Sequence, residues 1–501
     1  MNYLLGLDLG TGGIKAVLFN EHGVEITEAT QEYPLYQLQN GWSEQDPEDW
    51  YQAMVKTVSQ VVEQSGIPRE EILGIGISGQ MMGAVLLDER GDPLRKAILW
   101  NDQRTEAACA EVARRVGEEK MLSITCNPPR AGLTAAKIYW VKQNEPDIYA
   151  KCRHILLPKD YLRYRLTGEF ATEVSDASAM QLMDVPNRCW SGYILDALEI
   201  KEDMLGKVYE SYEVTGTLRP DVAKCLGLCE KTVVVGGAGD NAAASVGTGV
   251  VAPGRAMTTI GTSGVVFAYS DKPAIDPKGR VYTFCTAVPG AWHMMGLVNS
   301  AGLSLKWYRN NFYPTDEEYL DINTDAAQSP VGANRLIYLP YLMGECTPHL
   351  DLDCRGAFIG LSNIHTRKDM TRAVMEGVSF GLKESISIYD EIGVKPALMR
   401  MCGGGSKSPL WRQMLSDIFE IPVCLPDIAS ENSAALGAAI LASVGTGLYP
   451  SVVHACDQII TLRDEQYTPD AKHSEQYRKI YDVYREMYPG LKDAYKSLAG
   501  L

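Results

Sequence analysis

Residues 7–23 read LDLGTGGIKAVLFNEHG, and the reading of this stretch decides the fold. A run of small residues after an acid suggests a nucleotide cradle. The run lacks the Gly-Lys-Ser/Thr ending of a P-loop. It also lacks the last glycine of the dinucleotide fingerprint GxGxxG, and no helical pattern follows it. Instead IKAVLF is apolar and extended in character. We therefore read strand, turn, strand. YLLGLDLG is a buried strand, TGG supplies turn positions tolerant of positive φ, and IKAVLF returns antiparallel before the turn NEHG.

The same unit recurs. Residues 259–269 read TIGTSGVVFAY, so GTGG at Gly10 is echoed by GTSG at Gly261, 261 − 10 = 251 positions later. In a chain of 501 residues that spacing is half the length and suggests two similar lobes. Other segments alternate strand and helix in both halves. Asp46 as N-cap and Pro47 at the first position open a helix ending at Gly66. ILGIGISGQ reads as a buried strand and GAVLLDERGDPLRKAILW as a hairpin. In the second half HTRKDMTRAVMEGVSFGLKESISIYDEIG is a long helix, ALMRMCGGG a strand and SPLWRQMLSDIFE a helix. Tyr477, Ile480, Tyr481, Tyr484 and Met487 form one packing face of a terminal helix. The lobe boundary is expected within 240–253, giving domains 1–246 and 247–501.

Bulk properties narrow the function. The chain is 46% apolar and 22% charged, ordinary for a globular protein with large cores. Its net charge of −16 argues against nucleic-acid or anionic-membrane partners. There is no basic leader and no apolar run of about 18 residues or more, so neither a signal peptide nor a membrane span is expected. The twelve cysteines are scattered without a CxxC, as in a cytoplasmic protein with reduced thiols.

Two facing glycine hairpins would present backbone N–H groups to a triphosphate from opposite sides. A carboxylate beside each would then hold Mg²⁺. Asp8 precedes the first hairpin, and Asp240 with Asn241 lies shortly before the second. Plainer roles exist: a turn cap for Asp8, an N-cap of the NAAASVG helix for Asp240, and a solvated strand position for Lys15.

Eleven segments in order, among them GLDLGTGGIKAVLF, GWSEQDPEDWY, GISGQMMGAVLLD, AILWNDQRT, GLTAAKIYWVKQNEP, GGAGDNAAASVGTG and GGGSKSPLWRQMLSDIFEIPV, resemble the FGGY family of carbohydrate kinases over essentially the whole chain. Its xylulose-phosphorylating members are the nearest. The resemblance implies an α/β fold of two ribonuclease-H-like, actin-like ATPase lobes with the active site in the cleft between them. It implies a cytoplasmic enzyme that uses ATP and Mg²⁺ to phosphorylate a sugar, D-xylulose first among candidates, and it admits a homodimer. Asp240 would be the general base. Asp8 would organise Mg²⁺, with Asp240 a second ligand, directly or through water. Thr11, Gly12, Gly13 and Lys15 would face the β- and γ-phosphates, and Gly261, Thr262 and Ser263 the phosphates from the other lobe. Gly404, Gly405 and Ser406 would wall the adenosine. Met81, Met82, Trp100, Asp102 and Asn241 would line the sugar side.

Two positions depart from the family pattern. Met82 stands where relatives carry a histidine that donates to the sugar, and Cys346 where arginine is common. Methionine has no donor, and a buried sugar hydroxyl left unpaired there costs about 1–3 kcal/mol. Another ketose, a deoxy sugar or a polyol is therefore an alternative substrate. An actin-like switch ATPase shares the paired hairpins, but it has no reason to carry SGQMMG, WNDQR and AAKIYW.

Overall fold

The computed structural model describes residues 1–314 and 319–501. The opening stretch is a hairpin. Strands β1 (Tyr3–Leu9) and β2 (Gly13–Asn20) pair antiparallel, with Leu9 opposite Ile14 and Asp8 opposite Lys15. The turn does not use positive φ: Gly10, Gly12 and Gly13 all avoid the left-handed region. It uses their lack of a side chain. A Cβ on Gly13 would lie 2.7 Å from the Gln31 carbonyl oxygen of β3 (Glu25–Glu32), whereas one on Gly12 would meet nothing within 4 Å.

Helix α1 (Pro47–Ser65) starts where the sequence places it, with the Asp46 side chain accepting from the Glu48 amide and Gly66 turning left-handed after it. Strand β4 (Ile72–Gly79) then runs parallel to β1. A largely helical insert follows and includes α2 (Thr134–Asn144). Strands β5 (Val214–Thr217) and β6 (Val233–Val235) complete a sheet ordered β5-β6-β4-β1-β2-β3. The segment GAVLLDERGDPLRKAILW is not a regular hairpin. Val85–Leu87 pairs with His154–Leu156, and Ala97–Ile98 pairs with Glu44–Gln45. Its two arms meet only at the isolated bridges Ala84–Ile98 and Leu87–Pro93, because each arm finds a longer partner elsewhere.

After α3 (Asp240–Gly247) the plan repeats. Strands β7 (Arg255–Ile260), β8 (Gly264–Ser270), β9 (Tyr282–Cys285), β10 (Trp292–Val298), β11 (Leu398–Cys402), β12 (Val423–Pro426) and β13 (Leu462–Tyr467) form a sheet ordered β9-β10-β8-β7-β11-β12-β13. Strand β7 has an antiparallel neighbour in β8 and a parallel one in β11, as β1 has in β2 and β4. The echo seen in eleven residues is thus a repeat of a whole sheet. The hairpins differ by one residue: Ile260 faces Gly264 across a three-residue loop, whereas Leu9 faces Ile14 across four.

Helices α4 (Arg367–Glu391), α5 (Ser433–Gly445) and α6 (Ala471–Ala499) belong to the second half. The tyrosine face of α6 packs on α4, where Arg372 donates to the Tyr477 hydroxyl at 2.8 Å. Alternation in β1 sends Leu5, Leu7 and Leu9 to a core shared with Trp50, Met54 and Val58 of α1. The other face carries Leu4, Gly6 and Asp8 and meets α5. Gly6 and Gly76 are register partners, and each backs onto that helix. A Cβ on Gly6 would sit 1.9 Å from the Ala435 carbonyl oxygen, and one on Gly76 1.9 Å from that of Ala438. Helix α5 meets α3 as closely, since a Cβ on Gly437 would lie 1.8 Å from the Ala243 carbonyl oxygen. Leu4, Val17 and Phe19 of the first sheet and Met257 and Phe267 of the second therefore share one core with both helices.

Gly6→Ala should lower stability by about 1–3 kcal/mol, because the methyl group meets backbone that cannot rotate away. Gly12→Ala should stay within about 0.5 kcal/mol. Thermal unfolding of the two variants beside the wild type checks the contrast.

Candidate active site

Asp8 takes its surroundings from sheet register. It lies opposite Lys15 on β2 and opposite Ser78 on β4. The Ser78 hydroxyl donates to its Oδ1 at 2.9 Å. Burial pushes the Asp8 carboxyl above its usual range, with the Ser78 bond and the Lys15 charge opposing. Asp240 is the first residue of α3, and Gly239 rather than Asp240 occupies the capping position. Its Oδ1 accepts from the Asn241 backbone amide at 2.7 Å and from the Asn241 side chain at 2.9 Å. Burial raises the Asp240 carboxyl to about 6, and the negative charge of Asp8 is the second cause. The two acids, remote in sequence, thus lie within electrostatic reach of one another.

The turn at Thr11 is held from three sides. Gln45 Nε2 donates to the Thr11 carbonyl at 2.6 Å, the Thr11 hydroxyl donates to Gln80 Oε1 at 3.3 Å, and Trp100 Nε1 donates to that hydroxyl at 3.0 Å. Gln80 and Trp50 both donate to Gln45 Oε1, at 2.9 and 3.0 Å. The Tyr33 hydroxyl donates to the Gly10 carbonyl. Gly12 keeps an open face, where a ligand can approach the backbone.

In the second hairpin the Gly261 amide donates to the Ser263 carbonyl at 3.0 Å. The Gly261 and Thr262 carbonyls accept from the amides of Gly302, Ala301 and Leu303. Residues 403–406 rest on the end of β7. Gly403 is left-handed, and a Cβ on Gly405 would lie 2.7 Å from that of Ile260. The glycines permit this approach, which brings Gly404 and Gly405 against Ile260, the residue before Gly261.

Met81 is buried against Gly239, where a Cβ would meet its Sδ at 2.8 Å. Met82 is half-buried with φ +67°. Both belong to an apolar cluster with Leu133 and with Val265, Phe284 and Met295 of the second sheet. Trp100 presents its ring, with 46% of the residue exposed.

Three expected ligands are already engaged. Asp102 is buried, and its carboxylate accepts from the Ser43 amide at 2.6 Å and from Arg104 at 2.8 and 2.6 Å. Its carboxylate oxygens are thereby occupied by protein donors. The Lys15 ammonium donates to Asn432 Oδ1 at 2.7 Å and to Glu28 at 3.3 Å, which draws it toward the start of α5. Asn241 spends its amide on Asp240.

Behind Asp240 lies a buried charge network with no motif of its own in the sequence. Lys159 Nζ lies 2.7 Å from Asp160, 3.2 Å from Glu173 and 3.6 Å from Asp176. Ser175 donates to Glu173 at 2.9 Å and accepts from the Gly239 amide at 3.0 Å, which reaches the residue before Asp240. Burial pushes the Asp176 carboxyl well above the usual carboxylate range, with the Lys159 charge opposing.

Among the described residues no cluster of three or more His, Cys, Asp or Glu side chains could hold a metal ion unaided. Two buried carboxylates within electrostatic reach of one another instead suit a hard cation that takes its remaining ligands from phosphate and water. Among the described residues no helix is long and apolar enough to cross a membrane.

Comparison with known proteins identifies the family. Residues 3–247 match the N-terminal domain and residues 256–446 the C-terminal domain of the FGGY family of carbohydrate kinases. The chain is 39% identical to a xylulose kinase of Bacillus subtilis (strain 168) over 493 residues, covering 98% of each. It is 38% identical to a xylulose kinase of Escherichia coli (strain K12), covering 97% of this chain and 99% of the other. A solved structure from Brucella ovis, titled a xyloylose kinase, superposes with a TM-score of 0.92 at 35% identity, covering 98% of this chain and all of that one. With two family domains in order and relatives of this similarity over nearly their whole length, the chain belongs to the FGGY family of carbohydrate kinases.

Proposed function

We propose that this kinase transfers the γ-phosphoryl group of ATP to a hydroxyl of D-xylulose, giving D-xylulose 5-phosphate, in the cleft between lobes 1–246 and 247–501. The observation that carries the assignment is the pairing of Asp8 and Asp240 in mutual electrostatic reach, beside a turn whose Thr11 hydroxyl is gripped by the exposed Trp100. The sugar named comes from the relatives' names. Twelve free cysteines suit a reducing cytoplasm.

Phosphoryl transfer needs in-line positioning and charge stabilisation more than covalent help. The hairpins at Gly10–Gly13 and Gly261–Ser263 offer backbone amides to the phosphates from both lobes, and the turn at Gly404–Ser406 offers a backbone wall for the adenosine. Mg²⁺ would be held by Asp8, with Asp240 through water, and would neutralise charge on the transferring group. Asp240 takes the proton of the attacking hydroxyl late in the transfer. Its fixed Oδ1 leaves Oδ2 free for that contact. Met81, Met82 and Trp100 form an apolar wall that excludes water, the competing nucleophile.

Asp240→Asn should keep ATP binding and lose about 10²–10⁴-fold in kcat. The same variant should be more stable at pH 7.5. An acid whose folded pKa is raised to about 6 carries its charge at a cost above that pH, and the cost is relieved as pH falls from about 6 to the unfolded value of 3.8. The penalty is at most about 3 kcal/mol. Unfolding midpoints should therefore favour Asp240→Asn at pH 7.5 and converge near pH 4. In the wild type, kcat/KM should fall below about pH 6 as the base protonates.

Release of ADP across a panel of pentuloses, hexuloses, deoxy sugars and polyols tests the substrate. D-xylulose should stimulate most. Equal release with every compound and with none would contradict the proposal. Met82 lacks a donor, so Met82→His should raise kcat/KM on D-xylulose relative to the other sugars by about 10-fold. An unchanged ratio would show that position 82 does not set specificity.

A further inference from the structure

Lys137 lies on α2 with no exposed surface, and among the described residues no carboxylate lies within ion-pair distance of it. Its Nζ donates to two backbone carbonyls instead, Met82 O at 2.9 Å and Gly132 O. Burial pushes its ammonium down to about 7, with the charge of Asp102 opposing only in part. A buried cation without a counter-ion costs stability, and an apolar side chain of this length would fill the same space without that cost. The ammonium must therefore serve the two carbonyls it holds.

Those carbonyls belong to the segments that shape the sugar side. Met82 has φ +67°, a left-handed conformation that a non-glycine residue holds only when its surroundings enforce it. Its neighbours are constrained as well. Met81 is pressed against Gly239, and a Cβ on Gly83 would lie 2.5 Å from Pro158 Cγ. Gly132 touches the third segment, since its Cβ position is 3.5 Å from the Trp100 carbonyl oxygen. The ammonium thus ties segment 80–83 to segment 130–133, and Gly132 carries the contact on to segment 99–102. A neutral amine still has two N–H groups, so the grip survives loss of a proton.

We infer that Lys137 is a positioning residue for sugar recognition: by clamping the Met82 and Gly132 carbonyls it holds the left-handed turn that presents Met81 and Met82 beside Trp100. The identity of the ligand rests on the kinase reading above; the clamp itself does not. Lys137 bonds neither phosphate hairpin, so its effect falls on the sugar and not on ATP.

The test compares wild type, Lys137→Met, Met82→Gly and the double variant, with Lys137→Gln carrying the same comparison should the Met variant not fold. D-xylulose KM, ATP KM and kcat are measured, together with hydrogen exchange of residues 80–84 without sugar. Lys137→Met should raise the sugar KM about 10–100-fold with ATP KM within about twofold. It should also speed exchange at Met82 and Gly83. In the Met82→Gly background, where glycine takes the left-handed geometry unaided, loss of Lys137 should change sugar KM by less than about threefold. Equal losses in both backgrounds, a parallel rise in ATP KM, or unchanged exchange at 80–84 would each overturn the inference. A wild type inactive on every sugar would overturn the kinase reading, while the exchange comparison would still decide the role of Lys137.

Discussion

Everything in the cleft depends on how closely α5 lies on the first sheet. That helix comes from the second half of the chain, yet its backbone touches β1 and β4 at Gly6 and Gly76 and touches α3 at Gly437. Side chains at these points would separate the layers by the width of a methyl group or more. Dispersion falls off steeply with such gaps, and packed interiors do not deform smoothly to fill them. The glycines therefore set the distance between sheet and helix, and through α3 the depth of Asp240. Because Gly6 and Asp8 share a face of β1, one alternating strand supplies both the docking surface and the acid proposed to organise the cation.

Closeness has an electrostatic consequence. Burial raises the cost of ionising both Asp8 and Asp240, and at Asp240 the negative charge of Asp8 adds to it. Among the described residues the nearby cations are shared with other partners: Lys15 offsets part of the cost at Asp8 but is drawn to Glu28 and Asn432, and Lys159 is occupied by Asp160, Glu173 and Asp176. The fold accepts an unfavourable concentration of negative charge at this point, which the proposed cation and substrate would balance. Strain of this kind marks working sites more often than structural ones. The proposed sugar wall follows the same logic, since Met82 holds a disfavoured backbone geometry and Lys137 a disfavoured burial.

The parts legible in the sequence were those with local cause. The strand-turn-strand reading of residues 7–23 rested on apolar alternation, and α1 on an N-cap and a proline, and both are decided within a few residues. The echo at Gly261 pointed to two lobes because sheet topology repeats with the hairpin. What escaped notice depends on distant partners. Gln45 and Gln80 are single amides without periodicity, and only the fold joins them to Thr11. Lys159, Glu173 and Asp176 come from a helix, a strand and a short turn that have no shared pattern. Asp102 and Lys15 looked available because their partners, the guanidinium of Arg104 curling back and Asn432 more than 400 positions away, could not be read from type or spacing. The hairpin read at residues 83–100 is present only as isolated antiparallel bridges, because its arms also pair with Glu44–Gln45 and His154–Leu156, which are distant in sequence.

The central claim is that two hairpins from two lobes hold one triphosphate while Asp240 meets the acceptor hydroxyl. A crystal structure with a non-hydrolysable ATP analogue and D-xylulose tests it most directly. The account predicts phosphate oxygens in hydrogen-bond contact with backbone amides of both residues 10–13 and residues 261–263, and a sugar hydroxyl bonded to Asp240 and in line with the γ-phosphorus. A nucleotide whose phosphates touch one lobe only, or a sugar bound away from Asp240, would contradict it.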